Sequence, residues 1–211
     1  MRTLGWIALA YAAGTIPSAW IVARLSGHHD AVARMRRAES QGDAHYLLWH
    51  AGRTAGVVAI VLDVVKGFAP ALAASIAGAG SGTLAFMGTA AVLGHSFPPY
   101  LRHTAGRGLS AAAGVALALI PRAMVGTGVI ALGGTIARRG GQGTSIGFVL
   151  LPVLAWLFGY DGALVAMAGA IAVVIALRRL DGYGAERAAG APAARTLARR
   201  LFFDLPARAE P

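Results

Sequence analysis

Two hundred and eleven residues would suit one or two soluble domains, but 56% of them are hydrophobic, only 13% are charged and the mean hydropathy is +0.61. Average soluble chains are about 25% charged, so the composition excludes a soluble domain, a disordered chain, a collagen-like repeat and a disulfide scaffold; the absence of cysteine also excludes thiolate nucleophiles and Cys-ligated metal centres. The net charge of +10 comes from 19 basic residues, 18 of them arginine, placed between apolar runs. That pattern reads as a positive-inside excess flanking membrane helices and not as a nucleic-acid-binding surface.

Taken in chain order, residues 4–25 form the first apolar run, matching the ~20 residues a helix needs to cross the bilayer. A signal peptide is the competing reading of the same stretch, with Arg2 as its basic head, but the apolar run continues through Trp20 to Val22 and further spans follow. Residues 26–53 are polar and carry Arg34, Arg36, Arg37, Arg53 and four histidines; residues 55–77 are the second predicted span. Residues 82–180 are almost wholly apolar, with breaks at Phe97-Pro98-Pro99 through Arg107, at Pro121-Arg122, at 138–143 and at Tyr160-Asp161-Gly162. These breaks predict five further segments near 83–96, 108–120, 123–137, 144–159 and 162–179, several of them short for a full crossing.

The predicted architecture is therefore an all-α integral membrane protein of about seven transmembrane helices, with five or six as the smaller count. Residues 1–180 form a single transmembrane domain with a cytoplasmic loop at 26–53, and residues 181–211 form a cytoplasmic tail. With seven spans, sixteen basic residues fall on the side of that loop and only Arg2 and Arg122 on the other, which places the N-terminus outside and the C-terminus in the cytoplasm. Gly126, Gly128, Gly133 and Gly134 in the fifth segment suit close helix packing. In the tail, Leu197, Leu201, Phe202 and Leu205 interleave with Arg195, Arg199 and Arg200, which fits either a short interfacial helix on anionic lipid or a solvated, partly disordered segment.

Three features bear on chemistry. Asp63 and Lys66, three residues apart on one helix face, each cost ~2.5–3.5 kcal/mol near the bilayer centre, so they pair, either as structural glue or at the edge of a substrate cavity. The stretch Gly94-His95-Ser96-Phe97-Pro98-Pro99-Tyr100 leaves one span, and Gly106-Arg107-Gly108 opens the next. A cation flanked by glycines at a helix start offers free N–H groups, a favourable dipole and a guanidinium for phosphate; the plainer reading is a basic loop residue with no further role. Ser145, near the entry to the sixth segment, is read from the residues alone as a helix N-cap.

These stretches together resemble the acyl-phosphate-dependent glycerol-3-phosphate acyltransferases of bacterial membranes. Gly14-Thr15-Ile16-Pro17-Ser18 resembles that family's G-S-I-P, and Asp63-Val64-Val65-Lys66-Gly67 its D-x-x-K-G. Gly94-His95-Ser96-Phe97-Pro98 with Gly106-Arg107-Gly108 is similar to G-H-N-F-P…K-G-G-K-G, and Arg178-Arg179-Leu180 with Gly184 and Glu186 to R-R-L…G-x-E. The resemblance implies a multi-pass protein of the bacterial cell membrane that transfers an acyl group from acyl-phosphate to the 1-hydroxyl of glycerol 3-phosphate, giving lysophosphatidate for phospholipid synthesis. It implies no metal and no cofactor, membrane lipid as the surroundings, and Gly106, Arg107, Gly108, His95 and Ser145 as substrate- and phosphate-binding residues, with Asp63 and Lys66 as an ion pair in the structure or at the cavity. The chain departs from the family at its first loop: residues 38–46 replace G-S-G-N-x-G-A-T-N, and Trp49 falls where an arginine is expected. Thr104 and Arg107 stand for two lysines, and Val173 and Ala176 for a histidine and an asparagine. A catalytically degenerate paralogue that binds lipid or a partner is thus the alternative, and a small transporter using Asp63 and Lys66 a more distant one.

Overall fold

A computed structural model describes residues 2–36, 44–100 and 106–203, and every regular element among them is helical. The chain divides into two compact units, Met1–Pro121 and Arg122–Pro211. In the first lie α1 (Arg2–Thr15), α2 (Ser18–Leu25), α3 (His29–Arg36), α4 (Ala44–His50), α5 (Arg53–Ile76), α6 (Ser81–Ser96) and α7 (Leu109–Leu119). The second comprises α8 (Pro121–Ile136), α9 (Gly140–Leu157), α10 (Gly162–Arg179), α11 (Tyr183–Ala188), α12 (Ala193–Ala198) and a π-helical turn, Arg199–Phe203.

The expectation of about seven spans is corrected by the helix lengths. Among the described residues only α5, α9 and α10 are long and apolar enough to cross a bilayer, and the pair α1–α2, bent by 41°, makes a fourth if it counts as one span. Helices α6 and α8 have 16 residues each and α7 has 11. At ~1.5 Å per residue these reach only about 24 and 16 Å, against about 30 Å of hydrocarbon. The proline and glycine breaks in residues 82–180 cut an apolar stretch into pieces that hydropathy alone counts as spans. The helix lengths correct the span count alone and do not bear on the expected outside N-terminus and cytoplasmic C-terminus.

The first apolar run is broken for a local reason. Proline disfavours the helical conformation of the residue before it and lacks an N–H, and Pro17 separates α1 from α2 at φ −84°, ψ 73°. The break leaves main-chain carbonyls at Thr15 and Ile16 outside a regular helix, and side chains from elsewhere in the unit take them up. Tyr100 donates its hydroxyl to the Thr15 carbonyl, and Lys66 Nζ donates to the Ile16 carbonyl at 2.7 Å. Tyr11 on α1 in turn donates to the Phe97 carbonyl at 3.1 Å, tying the exit of α6 to the same helix.

Small residues bring the helices of the first unit into backbone contact. A Cβ at Gly14 of α1 would strike the Ala91 carbonyl of α6, and one at Gly94 of α6 would strike the Tyr11 carbonyl of α1. The α5–α7 crossing repeats this arrangement, Gly67 lying on the Ala111 carbonyl and Gly114 on the Val64 carbonyl. Such contacts suit a lipid setting, where close packing must replace the hydrophobic drive between helices. The remaining core is built of alanines with a few larger side chains, Leu47, Met87 and Val115 among them.

Of the four glycines singled out in α8, Gly134 packs against Gly143 of α9 and Gly126 meets the Leu154 side chain, whereas Gly128 and Gly133 face open space. Asp161 caps α10 by accepting the Ala163 N–H at 2.8 Å. Beside it, Tyr160 accepts the Arg122 N–H at 3.1 Å, with the Arg122 guanidinium 5.1 Å from its ring centre.

Gly94→Ala should lower the thermal stability of the detergent-solubilised protein, because overpacking a helix crossing costs about 1–3 kcal/mol. Gly5→Ala, at a position with open space around it, should leave the melting temperature unchanged or slightly raised. Equal responses of the two variants would contradict the α1–α6 contact.

Candidate functional site

The conserved chemistry of charge in lipid explains how the site begins. A lone charge in the apolar part of α5 would be costly, and a partner one turn away offsets much of that cost. Lys66 Nζ lies 2.7 Å from Asp63 Oδ1, with only 7% and 4% of the two side chains exposed. The contact is one of charge lying off the hydrogen-bond axis, since Asp63 Oδ1 makes no aligned hydrogen bond. The third polar side chain is His95, in the last turn of α6, whose Nδ1 is 3.6 Å from the same carboxylate oxygen.

These groups border a cavity of about 270 Å³, counted with its mouth open to solvent. The break between α1 and α2 (residues 14–19) forms one wall, and Asp63, Lys66, His95, Pro98 and Gly106 complete it. Ser18, at the start of α2, is buried there beside the charges. His95 Nδ1 and Ser96 Oγ are buried without hydrogen-bond partners. An unmet buried polar atom costs about 1–3 kcal/mol, so several together mark a place where a polar ligand or ordered water completes the bonding. Among the described residues no three His, Cys, Asp or Glu side chains gather as a metal site.

Gly106 lines this cavity, Arg107 beside it is half-buried, and Gly108 caps α7 in the left-handed conformation at φ 87°. A glycine is favoured at that φ, and the turn sets Arg107 two residues before the start of α7, whose leading N–H groups have no acceptor within the helix. The structure thus gathers Asp63, Lys66, His95 and Gly106 at one cavity and places Arg107 and Gly108 on the adjoining turn. Arg37, residues 38–43, Arg102 and Thr104 lie outside the described residues, as do the side chains of Arg34, Arg36, His45 and Trp49.

Ser145 belongs to the second unit, where it is not an N-cap: Arg139 holds the N-cap position of α9, and Ser145 lies a turn and a half into the helix. Its hydroxyl donates to the Gly141 carbonyl at 2.7 Å and accepts from the Arg179 guanidinium. The same Nη1 of Arg179 donates to the Leu201 carbonyl at 2.7 Å, so the π-helical turn seats directly on this pair.

Glu186 anchors that seat, accepting from Arg199 and, at 2.6 Å, from Arg200, which also donates to the Asp181 carbonyl. Arg178 pairs with Asp181. Neither sequence reading of the tail, a helix on anionic lipid or a solvated segment, gives Arg199 and Arg200 a protein partner; Glu186 stands 13 and 14 residues upstream, beyond the reach of any helical-spacing rule. The one available signal was Glu186 itself, an acid with arginines on either side of it in the sequence.

With this geometry in place, the relatives can be compared. The family model described as glycerol-3-phosphate acyltransferase matches residues 4–182. The glycerol-3-phosphate acyltransferase of Pseudomonas putida (strain F1) is 36% identical over 152 residues, covering 70% of this chain and 78% of that protein. Glycerol-3-phosphate acyltransferase 4 of Dehalococcoides mccartyi is 33% identical over 177 residues, 82% of this chain and 92% of that one. Among solved structures, the glycerol 3-phosphate form of PlsY (YgiH), an integral membrane glycerol 3-phosphate acyltransferase, aligns with a TM-score of 0.76 at 26% identity, over 90% of this chain and 94% of that chain. The chain belongs to the glycerol-3-phosphate acyltransferase family. It is a multi-pass protein of the bacterial inner membrane.

Two outcomes follow from these contacts. Asp63→Asn and Lys66→Met should each destabilise the protein more than the double variant does, since a lone buried charge costs about 3–5 kcal/mol while a removed pair costs far less. Additive losses of melting temperature would show that the two charges do not interact. Separately, Arg200, by hydrogen bond and by charge, and then Arg199 hold the Glu186 carboxyl below its ordinary value of 4.5. A depressed carboxyl contributes stability above that value and loses it as the pH falls through the lower, folded one. Protection of residues 199–203 from protease should therefore weaken as the pH falls below 4.5, and Glu186→Gln should lack that pH dependence.

Proposed function

We propose that the protein is a membrane glycerol-3-phosphate acyltransferase, moving an acyl group from acyl-phosphate to the 1-hydroxyl of glycerol 3-phosphate. The hydroxyl oxygen attacks the acyl carbonyl carbon, the bond from that carbon to the phosphate oxygen breaks, and inorganic phosphate leaves, taking up the hydroxyl proton. The product is lysophosphatidate, released into the surrounding lipid. Both substrates are anions, so the site must supply cationic and N–H groups and hold hydroxyl against carbonyl.

The observation that carries the reading is the Gly106-Arg107-Gly108 turn, whose first glycine lines the cavity walled by Asp63, Lys66 and His95. Arg107 supplies a forked guanidinium for phosphate, and the start of α7 supplies N–H groups and the positive end of its dipole. Ser145, expected as a substrate contact, lies in the second unit, where its hydroxyl donates to the Gly141 carbonyl and accepts from Arg179, and it takes no part in this reading. The family membership and the relative solved with glycerol 3-phosphate support the same substrate.

A second reading has its own observation: Val173 and Ala176 occupy α10 positions where the family is expected to carry a histidine and an asparagine, and neither side chain can hydrogen-bond a substrate. It makes the protein a catalytically degenerate relative that binds lipid or a partner.

Purified protein in lipid should form lysophosphatidate from an acyl-phosphate and glycerol 3-phosphate. Arg107→Ala should raise the apparent KM for glycerol 3-phosphate about ten- to a hundredfold, the equivalent of a charge-assisted hydrogen bond of roughly 1.5–3 kcal/mol. Arg107→Lys should stay active. No turnover by the parent with any acyl-phosphate, together with unchanged glycerol 3-phosphate binding in Arg107→Ala, would overturn the acyltransferase reading in favour of the degenerate one.

A further inference from the structure

The imidazole of His95 has two edges, and the structure occupies both. Its Nδ1 faces Asp63 Oδ1 at 3.6 Å. Its far edge lies against Gly106: a Cβ there would strike Nε2 and would come within 2.8 Å of Cε1 and 3.3 Å of Cδ2. The ring therefore fills the space in which any side chain at position 106 would stand. A ring in that position leaves no room for a substrate atom between Nε2 and the turn.

Asp63 is itself held in place. Lys66 pairs with it at 2.7 Å and donates at 2.7 Å to the Ile16 carbonyl freed by the Pro17 break. One residue beyond Lys66, Gly67 lies on the Ala111 carbonyl of α7, so α5 fixes both the helix that follows the turn and the carboxylate behind it. A continuous set of contacts runs from Ile16 through Lys66, Asp63 and His95 to Gly106, the residue before Arg107.

We propose that Asp63 and His95 are positioning residues for the Gly106–Arg107–Gly108 turn. Asp63 sets the ring of His95, and the ring sets the height of Gly106, hence where Arg107 and the N–H groups of α7 meet the phosphate. This rests on the acyltransferase reading only for its kinetic consequence; the mechanical coupling stands independently of which anion the turn binds. It also gives a reason for a glycine at position 106 that backbone conformation does not supply.

A double-mutant cycle in the full chain tests the coupling. Gly106→Ala in the parent should raise the apparent KM for glycerol 3-phosphate about tenfold or more with kcat little changed, and the same substitution in a His95→Ala background should add roughly twofold at most. Equal effects in both backgrounds would overturn the proposal. A second measurement needs no turnover. The chain has no cysteine, so Arg107→Cys reports the turn by its rate of maleimide labelling, measured well below the melting temperature. Adding Asp63→Asn or His95→Ala should raise that rate about threefold or more, whereas a merely structural role would lower the melting temperature and leave the rate of the folded protein unchanged. Where His95→Ala does not purify in folded form, Asp63→Asn carries the comparison, because it unpins the ring without emptying its space. Faster labelling in a chain that forms no lysophosphatidate would keep the positioning and reject the acyltransferase reading; unchanged labelling in an active chain would do the reverse.

Discussion

The buried contact between Asp63 and Lys66 is the interaction on which the first unit depends. Two opposite charges on one turn of an apolar helix are tolerable only as a pair, and the pair is useful only if its remaining bonding capacity is met. Lys66 meets it at the Ile16 carbonyl, which exists as an acceptor because Pro17 interrupts the helix there. The carboxylate faces His95, and His95 backs onto Gly106. A proline, a lysine, an aspartate, a histidine and a glycine from four separate stretches are thereby tied to one place. Substitution at any of them would be felt at the others.

Close helix packing makes this possible. The ion pair can bridge α5, α6 and the α1–α2 break only if their backbones approach within side-chain reach, and the reciprocal glycines do that at both crossings: Gly14 with Gly94, and Gly67 with Gly114. Larger side chains would separate the helices and leave the lysine short of its carbonyl. The small-residue composition of the chain is thus a condition of the polar site as well as a packing device. In the second unit a different solution holds the tail, where Glu186 gathers Arg199 and Arg200 and the π-helical turn closes over Arg179 and Ser145. There the charges lie at the end of a helix, and salt and pH act on them as they do not on the buried pair.

Much of the site was legible in the residues. Asp63 and Lys66 stand at helical spacing in an otherwise apolar run, so their pairing follows from the cost of either alone. Gly106-Arg107-Gly108 announces a tight cationic turn before a helix, and that turn is present. The span count was not legible, because a hydropathy pattern records that a segment is apolar and not how many residues remain helical. Residues 83–96 count as a crossing by hydropathy although they are short for one, and α6 at 16 residues hardly extends them, while the first run conceals the break at Pro17. Ser145 looked like a cap because it follows glycines near a segment start; the helix begins earlier, at Gly140. The Glu186 clamp was hidden for a third reason: its partners are distant in sequence, and arginines beside leucines in a tail resemble a lipid-facing stripe equally well.

Departures from the family's pattern fall mainly outside this network. Val173 and Ala176 lie on α10, and Trp49 on α4, while the residues that make up the buried set retain the family's types apart from the conservative exchange at Arg107. The buried set behind the Gly106-Arg107-Gly108 turn is accordingly where the chain keeps closest to the family's pattern. Lys66 is the only lysine in the chain, which allows a direct check of its state. Protein labelled with nitrogen-15 at lysine and reconstituted in lipid should show a single ammonium resonance, slow to exchange with water and correlated with the Asp63 carboxylate carbon. A neutral-amine resonance, or an ammonium that exchanges freely and has no carboxylate neighbour, would contradict the central place given to the pair.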